Sequence, residues 1–396
     1  VAGPNDGSSK GLKFFTGSDG STIRGFVINN WDYGIAIPAA TSQITVQGNY
    51  IGTDVTGLGS GGSTDRGIHL SNSPGHLVGG PNPEDRNVIS GHPYGGIAIS
   101  GAGATGSMIQ GNYIGVGSDG ITAIPNLNGI VSWVSASDNL IGGTGSSDGN
   151  LIRFNTRGIY IGTGYGSVLG NSIGENTGLG IALADDGQTP NDAGDGDPGP
   201  NDLLNYPEIS SASLAGGSIT ATYDLDVPTG TYRIEFFQSA AADGSGYGEG
   251  ENFVADTVVT SSGSALTDLR KTWVAGSGSW VTATTTLCTD PSCTAFTATS
   301  EFGNAIESTV PEFVVDTNSD VADGDTTSIA ALLANKGADG FISLREAISA
   351  ANQTPNGAVP DSIKFEIGSG AQTITPSTAL PSITEAVIID GTTQPG

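Results

Sequence analysis

GNYIGTDVTG at residues 48–57 returns as GNYIGVGSDG at 111–120, and this repeat decides the reading of the fold. Working outward, GIAIP (34–38), GIAIS (96–100) and GIYIG (158–162) lie at a period near 62, and the glycine pair 79–80 returns at 142–143. Gly-Ile dipeptides open finer segments at 34, 67, 96, 129, 158 and 180. Each segment holds three short aliphatic or β-branched runs separated by Gly, Ser, Asn and Asp, as in GIAIS, SMIQ and NYIGV from residue 96 onward. Short runs bounded by turn formers read as strands. Three per segment, with like segments stacking on like, predict a parallel β-helix over residues 1–187, because a single turn cannot bury its own apolar face.

Composition agrees. Glycine fills 63 of 396 positions, about 16 per cent against an average near 7 per cent, and charged residues fall to 13 per cent, which excludes a helical bundle or coiled coil. The formal charge of −27 repels phosphate and anionic lipid, so nucleic acid is not an expected partner, and no apolar run is long enough for membrane insertion.

One Asn per segment precedes an x-Ile or aliphatic run: Asn49, Asn87, Asn112, Asn150 and Asn171. With coils in register these stack as an interior amide ladder, each side chain bonding the next; otherwise they are turn residues tolerant of left-handed backbone. Residues 188–205 form an acidic Gly/Pro/Asp linker. Residues 206–310 carry longer alternating runs such as TYRIEFF, where Tyr232, Ile234 and Phe236 oppose Arg233, Glu235 and Phe237. That pattern predicts a half-buried antiparallel strand in an immunoglobulin-like or fibronectin-like β-sandwich acting as a spacer. In residues 311–396, Leu344, Ala347, Ile348 and Ala351 share a helical face, with Ser343 and Glu346 spaced as a capping box.

The stretch SLREAISAAN with DSIKFEI, LPSIT and VIIDGTTQPG resembles the CSLREA-type repeats of large bacterial surface and extracellular proteins, as do GNYIGTD, RNVISG and LGIALADDGQTPNDAGDGDPGPNDLLNYP. The resemblance covers nearly the whole chain. It implies a right-handed β-helix whose first coil is capped by the signature helix, here Leu344, Arg345, Glu346, Ala347 and Ile348, with Ile342 where the signature has cysteine. In that family the cap precedes the coils, whereas here the coils come first. The circular shift implies that residues 311–396 complete the coils of a neighbouring copy, giving a head-to-tail contact that does not close.

Two acidic clusters offer oxygen ligands that suit Ca²⁺: Asp316, Asn318, Asp320, Asp323 and Asp325, and in the linker Asp185, Asp186, Asp192, Asp195 and Asp197. Solvated acidic loops are the alternative. Cys288 and Cys293 flank TDPS and read as a disulfide across a tight loop, or as two free thiols. His69, His76 and His92 read as structural. Asp65–Arg66 and Asp85–Arg86 read as loop salt bridges, and the Gly-Ile strands show no acidic pair and no Lys or Arg for polysaccharide chemistry.

The expectation is therefore a non-enzymatic structural repeat of an extracellular fibre or cell-surface stalk. The alternative is a surface-displayed carbohydrate-binding or polysaccharide-cleaving β-helix, using glycans as partners through Trp31, Tyr94, Trp133 and Tyr165. Those four rings equally read as coil-edge packing.

Overall fold

The computed structural model describes residues 1–4, 6–184, 187–215, 217–309, 313–356 and 360–396. It is mostly β, with 39% of residues in strands and 6% in helix, and forms two compact units. The first comprises Val1–Ser211, Ala221–Lys271 and Gly276–Glu307; the second comprises Ala212–Thr220, Thr272–Ala275 and Ser308–Gly396.

In the first unit, three parallel sheets rise side by side, consistent with a parallel β-helix. The first sheet stacks Lys10–Lys13, Tyr33–Ile37, Arg66–Ser71, Gly95–Ser100, Asn128–Trp133, Arg157–Ile161 and Ile181–Leu183 in sequence order. The second runs from Thr22–Arg24 to Gly166–Leu169 and the third from Val27–Ile28 to Ser172–Gly174, six strands each. Every coil visits the three sheets in turn and climbs one step.

The repeat works because each sheet contributes one aliphatic column. In the first sheet Leu12, Ile35, Ile68, Ile97, Ile130, Ile159 and Ile181 are in register. In the third, Ile28, Ile51, Ile89, Ile114, Ile152 and Ile173 do the same. These third-sheet side chains are essentially inaccessible to solvent, each contributing roughly 1.5–3 kcal/mol by burial. The glycine before each first-sheet Ile has a steric cause: a Cβ on Gly67 would stand 2.5 Å from the carbonyl oxygen of Gly96, and one on Gly129 2.6 Å from that of Gly158.

The predicted ladder is present. Asn49 Nδ2 donates to Asn87 Oδ1 at 3.0 Å, Asn87 to Asn112 at 2.9 Å, Asn112 to Asn150 at 2.9 Å and Asn150 to Asn171 at 2.8 Å. Each amide also takes up a coil carbonyl, such as Val78 O for Asn112. A second ladder, not anticipated, runs through Asn126, Asn155 and Asn176 at 2.9 and 3.1 Å.

Next in the chain, Gly230–Ser239 lies between the antiparallel strands Asn252–Ser261 and Trp280–Cys288, with Phe296–Thr299 outside the latter. Here the structure departs from the expected half-buried strand and spacer. Tyr232, Ile234 and Phe236 are buried, with Phe236 meeting Tyr223 edge-on at 5.3 Å, yet Glu235 and Phe237 on the opposite face are buried too. That second face closes the last coil. Phe237 and Phe302 join the coil core, and the free edge of the coil donates into the sheet. Val168 N–H reaches Thr299 Oγ1 at 2.8 Å, Gly170 N–H reaches Glu235 Oε2 at 2.8 Å, Ile173 N–H reaches Gly250 O at 2.8 Å and Leu183 N–H reaches Glu301 Oε1 at 2.8 Å. The second ladder ends on the loop just before Asn252–Ser261, Asn176 Nδ2 donating to Glu249 Oε1 at 2.8 Å. Buried backbone donors require acceptors, and three side chains and the Gly250 carbonyl supply them.

The second unit holds a three-stranded parallel sheet, Phe313–Val315, Asp361–Phe365 and Val387–Ile389. Its core joins Phe313, Val315 and Ile363 to Ala347 and Ile348 of the helix Leu344–Ala351. Ser343 and Glu346 form the capping box that their spacing predicts.

Candidate functional site

The strands of the first sheet begin before their Gly-Ile dipeptides, at Tyr33, Arg66, Asn128 and Arg157, so the expectation of a face without Lys or Arg is corrected. Reading each strand from its glycine leaves Arg66 at a loop end and the other three unplaced, although their recurrence one place before Gly-Ile is the available signal. In register, Lys10, Tyr33, Arg66, Gly95, Asn128 and Arg157 form one column across the sheet. Beside it run Lys13, Ala36, His69, Ala98, Val131 and Tyr160. Small residues at 36 and 98 leave room for the large rings between them.

Arg66 organises the centre. Its guanidinium lies 4.1 Å from the Tyr94 ring, 5.2 Å from Tyr33 and 5.4 Å from Trp133. Nη1 donates to Tyr33 Oη and to Asp65 Oδ2, each at 2.7 Å. His69 stacks between Tyr33 at 5.5 Å and Trp133 at 6.1 Å and bonds Ser100 Oγ at 2.8 Å. Burial pushes the His69 pKa down to about 4, and the neighbouring Arg66 and Lys10 charges push the same way. Its imidazole is neutral at pH 7, with no charge to offer as a general acid. Lys10 sits 4.8 Å from the Tyr33 ring, and Arg157 5.3 Å from Tyr160. The arrangement can stack planar rings and meet negative charge.

Of the four aromatics singled out from sequence, the structure gathers only Tyr94 and Trp133, whose centroids are 5.8 Å apart. Trp31 Nε1 donates to Val1 O, and Tyr165 Oη to Asp202. Asp65 and Arg66 form a salt bridge, but Asp85 pairs with Arg24 at 3.1 Å and Arg86 lies over Tyr113 instead. His76 and His92 are structural: Ile44 N–H donates to His76 Nδ1, and His92 Nε2 bonds Ile51 O.

The five loop ligands 316–325 do not converge. Asp316 pairs with Lys336 at 2.8 Å, and Asp320 takes a two-pronged contact from Arg345, Nε and Nη2 each at 2.9 Å. Asp323 accepts from Ala338 N–H and Asp325 from Thr327. Protein cations, amides and a hydroxyl therefore occupy the carboxylates. In the linker Asp192, Asp195 and Asp197 have ligand oxygens within 4.8 Å of one another, while Asp185 and Asp186 lie outside the described residues. Burial first, then the Asp192, Asp197 and Asp202 charges, raise Asp195 to about 6 against the pull of the Asn205 N–H. The all-oxygen donor set fits a hard cation such as Ca²⁺. Cys288 and Cys293 are joined to each other.

No family model matches this chain, and no curated protein matches it. Among solved structures, the chitinase ChiW from Paenibacillus sp. str. FPU-7, a bacterial cell-surface-expressed multi-modular enzyme, aligns at 10% identity over 87% of this chain and 30% of that one. The TM-score is 0.12, too low for the likeness to carry an argument. Among the described residues no helix is long and apolar enough to cross a membrane.

Proposed function

We propose that this chain is a non-enzymatic structural repeat of an extracellular fibre or cell-surface stalk, built from parallel β-helix coils closed at one end by an immunoglobulin-like sandwich. The observation that carries the reading is the strand Val387–Ile389 in the second unit. Among the described residues it pairs on one side only, with Asp361–Phe365, and Ile388 and Ile389 are 50% and 41% exposed. An exposed apolar parallel edge is a template for another strand. The matching edge is the first coil, where among the described residues Lys10–Lys13 and Thr22–Arg24 each pair on one side only, while Val1–Gly3 cover the Val27–Ile28 edge through Asn29. Docking the second unit of one copy on the first coil of the next continues the stack. In this reading Leu344–Ala351 is the cap of that neighbour, and Ca²⁺ at Asp192, Asp195 and Asp197 stiffens the linker turn.

Sedimentation velocity and electron microscopy, with and without EDTA, test it. The wild type is expected to form concentration-dependent linear assemblies, and Ile388→Lys with Ile389→Lys to remain monomeric and folded. A wild type that stays monomeric at high concentration, or a Lys variant that assembles equally, sinks the proposal.

A further inference from the structure

We infer that the solvent side of the first sheet is a binding face for an acidic polysaccharide, one carrying carboxylates on its sugar rings. The charge distribution is the starting point. Of 13 Lys and Arg in a chain of net charge −27, four lie on strands of this sheet, namely Lys10, Lys13, Arg66 and Arg157, and no acidic residue does. The strands of the other two coil sheets carry one cation each, and both are committed: Arg24 to Asp85, and Arg153 to Glu175 and Glu251. On the first sheet Arg66 is paired with Asp65 at 2.7 Å, but Lys10 and Lys13 enter no ion pair among the described residues; each lies 4.8 Å from a ring instead. A positive face on an acidic protein runs against the self-repulsion the rest of the surface accepts, and it concentrates any anion that approaches it.

The rings narrow the class. Tyr94 is 37% exposed and stands with Trp133 over Arg66, so the cations are interleaved with flat apolar surface. Stacking holds a ring while the charge beside it holds an anionic substituent. Lys10, Arg66 and Arg157 belong to the first, third and sixth strands of the stack. At about 4.8 Å per strand they are spaced by about 10 and 14 Å. Nucleic acid, with a phosphate every ~3.4 Å along each strand of a duplex, asks for denser charge. A carboxylated sugar chain lying along the stack matches the sparser spacing and the rings together. Because the face is perpendicular to the strand edges, it is accessible in a monomer and in a stack alike, and the inference stands apart from assembly.

Isothermal titration of the full chain at low salt would use a galacturonate hexamer, a neutral maltohexaose and a 20-mer of deoxythymidine. Binding is expected for the uronate alone, weakening at least about fivefold between 20 and 200 mM NaCl as charge is screened. Lys10→Gln with Lys13→Gln is expected to weaken it about tenfold; Tyr94→Ala weakens it further, and Lys271→Gln leaves it unchanged, with melting temperatures confirming folded variants. Absence of uronate binding at millimolar ligand, equal or tighter binding of the neutral sugar or the DNA, or wild-type affinity in the Lys double variant would each overturn the inference.

Discussion

The two ends of the coil stack are made from the same repeat yet meet different surroundings. At the last coil the free strand edge is covered: Val168, Gly170 and Leu183 donate to Thr299, Glu235 and Glu301, and Phe237 and Phe302 seal the aliphatic columns. At the first coil Leu12 and Phe14 are only partly buried, Phe26 is 45% exposed, and acceptors such as Asp19, which takes the Ser42 N–H, are exposed. A parallel stack has no way of ending itself, since every coil presents the same donors to the next. Closure must come from outside the repeat, and here a sheet with side-chain acceptors provides it.

The largest expected effect follows from the apolar seal. Phe302→Ala removes a side chain 2% exposed and touching Phe237 at a centroid distance of 5.4 Å, and should cost about 3–5 kcal/mol. Phe14→Ala at the opposite end should cost less than half as much, because that ring is already partly in water. Urea midpoints compare the two directly. Equal losses would mean that the antiparallel sheet adds no stability to the coils it covers.

Acidity sharpens the same contrast. Burial pushes Glu249 and Glu301 up to about 7, against hydrogen bonds from Asn176 in one case and from Leu183 and Thr189 in the other. Asp243 and Glu251 add to the rise at Glu249. Burial also raises Glu235, opposed by Gly170 and Arg233. A carboxyl whose folded pKa lies above its unfolded value binds protons more readily when folded. Its stabilising contribution is therefore complete below about 4.5 and is lost as pH rises through about 7. The closed end should strengthen on going from pH 8 to pH 5, by roughly 1–3 kcal/mol for each of Glu249 and Glu301. Hydrogen exchange at Leu183 and Asn176 would slow more than the ordinary pH dependence of exchange, and Glu249→Gln with Glu301→Gln would abolish the excess. An excess that persists in the double variant would assign it to other groups. Below that window Asp320, held far down first by its Arg345 hydrogen bonds, begins to titrate in the second unit and acts in the opposite direction.

The coils were largely legible because their cause is periodic. A column of Ile behind Gly, and an Asn ahead of it, recur at the spacing of the structure itself, so Asn49 to Asn171 could be read as a ladder. Asn126, Asn155 and Asn176 form an equally continuous ladder that the sequence conceals, since no Gly-Asn-x-Ile signature marks them and Asn126 sits in a Pro-flanked loop. TYRIEFF misled for a different reason. Alternation reports that one face is apolar, and Glu235 on the other face looks solvent-bound until a coil edge is placed against it. The Arg66 cluster was missed because strand starts were set by glycine, and Asp320 was misread because its true partner, Arg345, is 25 residues away.

The smallest difference between the ends isolates a single hydrogen bond. Thr299→Val keeps the shape of the side chain and removes the oxygen that accepts Val168 N–H in a buried site; the stranded donor and the paired Thr286 hydroxyl at 2.9 Å both lose a partner. The cost should be about 1–3 kcal/mol. Asp19→Ala removes the 2.6 Å acceptor of Ser42 N–H at the first coil, but water reaches that site and replaces it, so the change should stay within about 0.5 kcal/mol. Both bonds connect one backbone donor to one side-chain oxygen, and only the access of water separates them. If the two substitutions cost the same, solvent exclusion is not what distinguishes the ends, and the closing sheet must act through its aromatic seal alone.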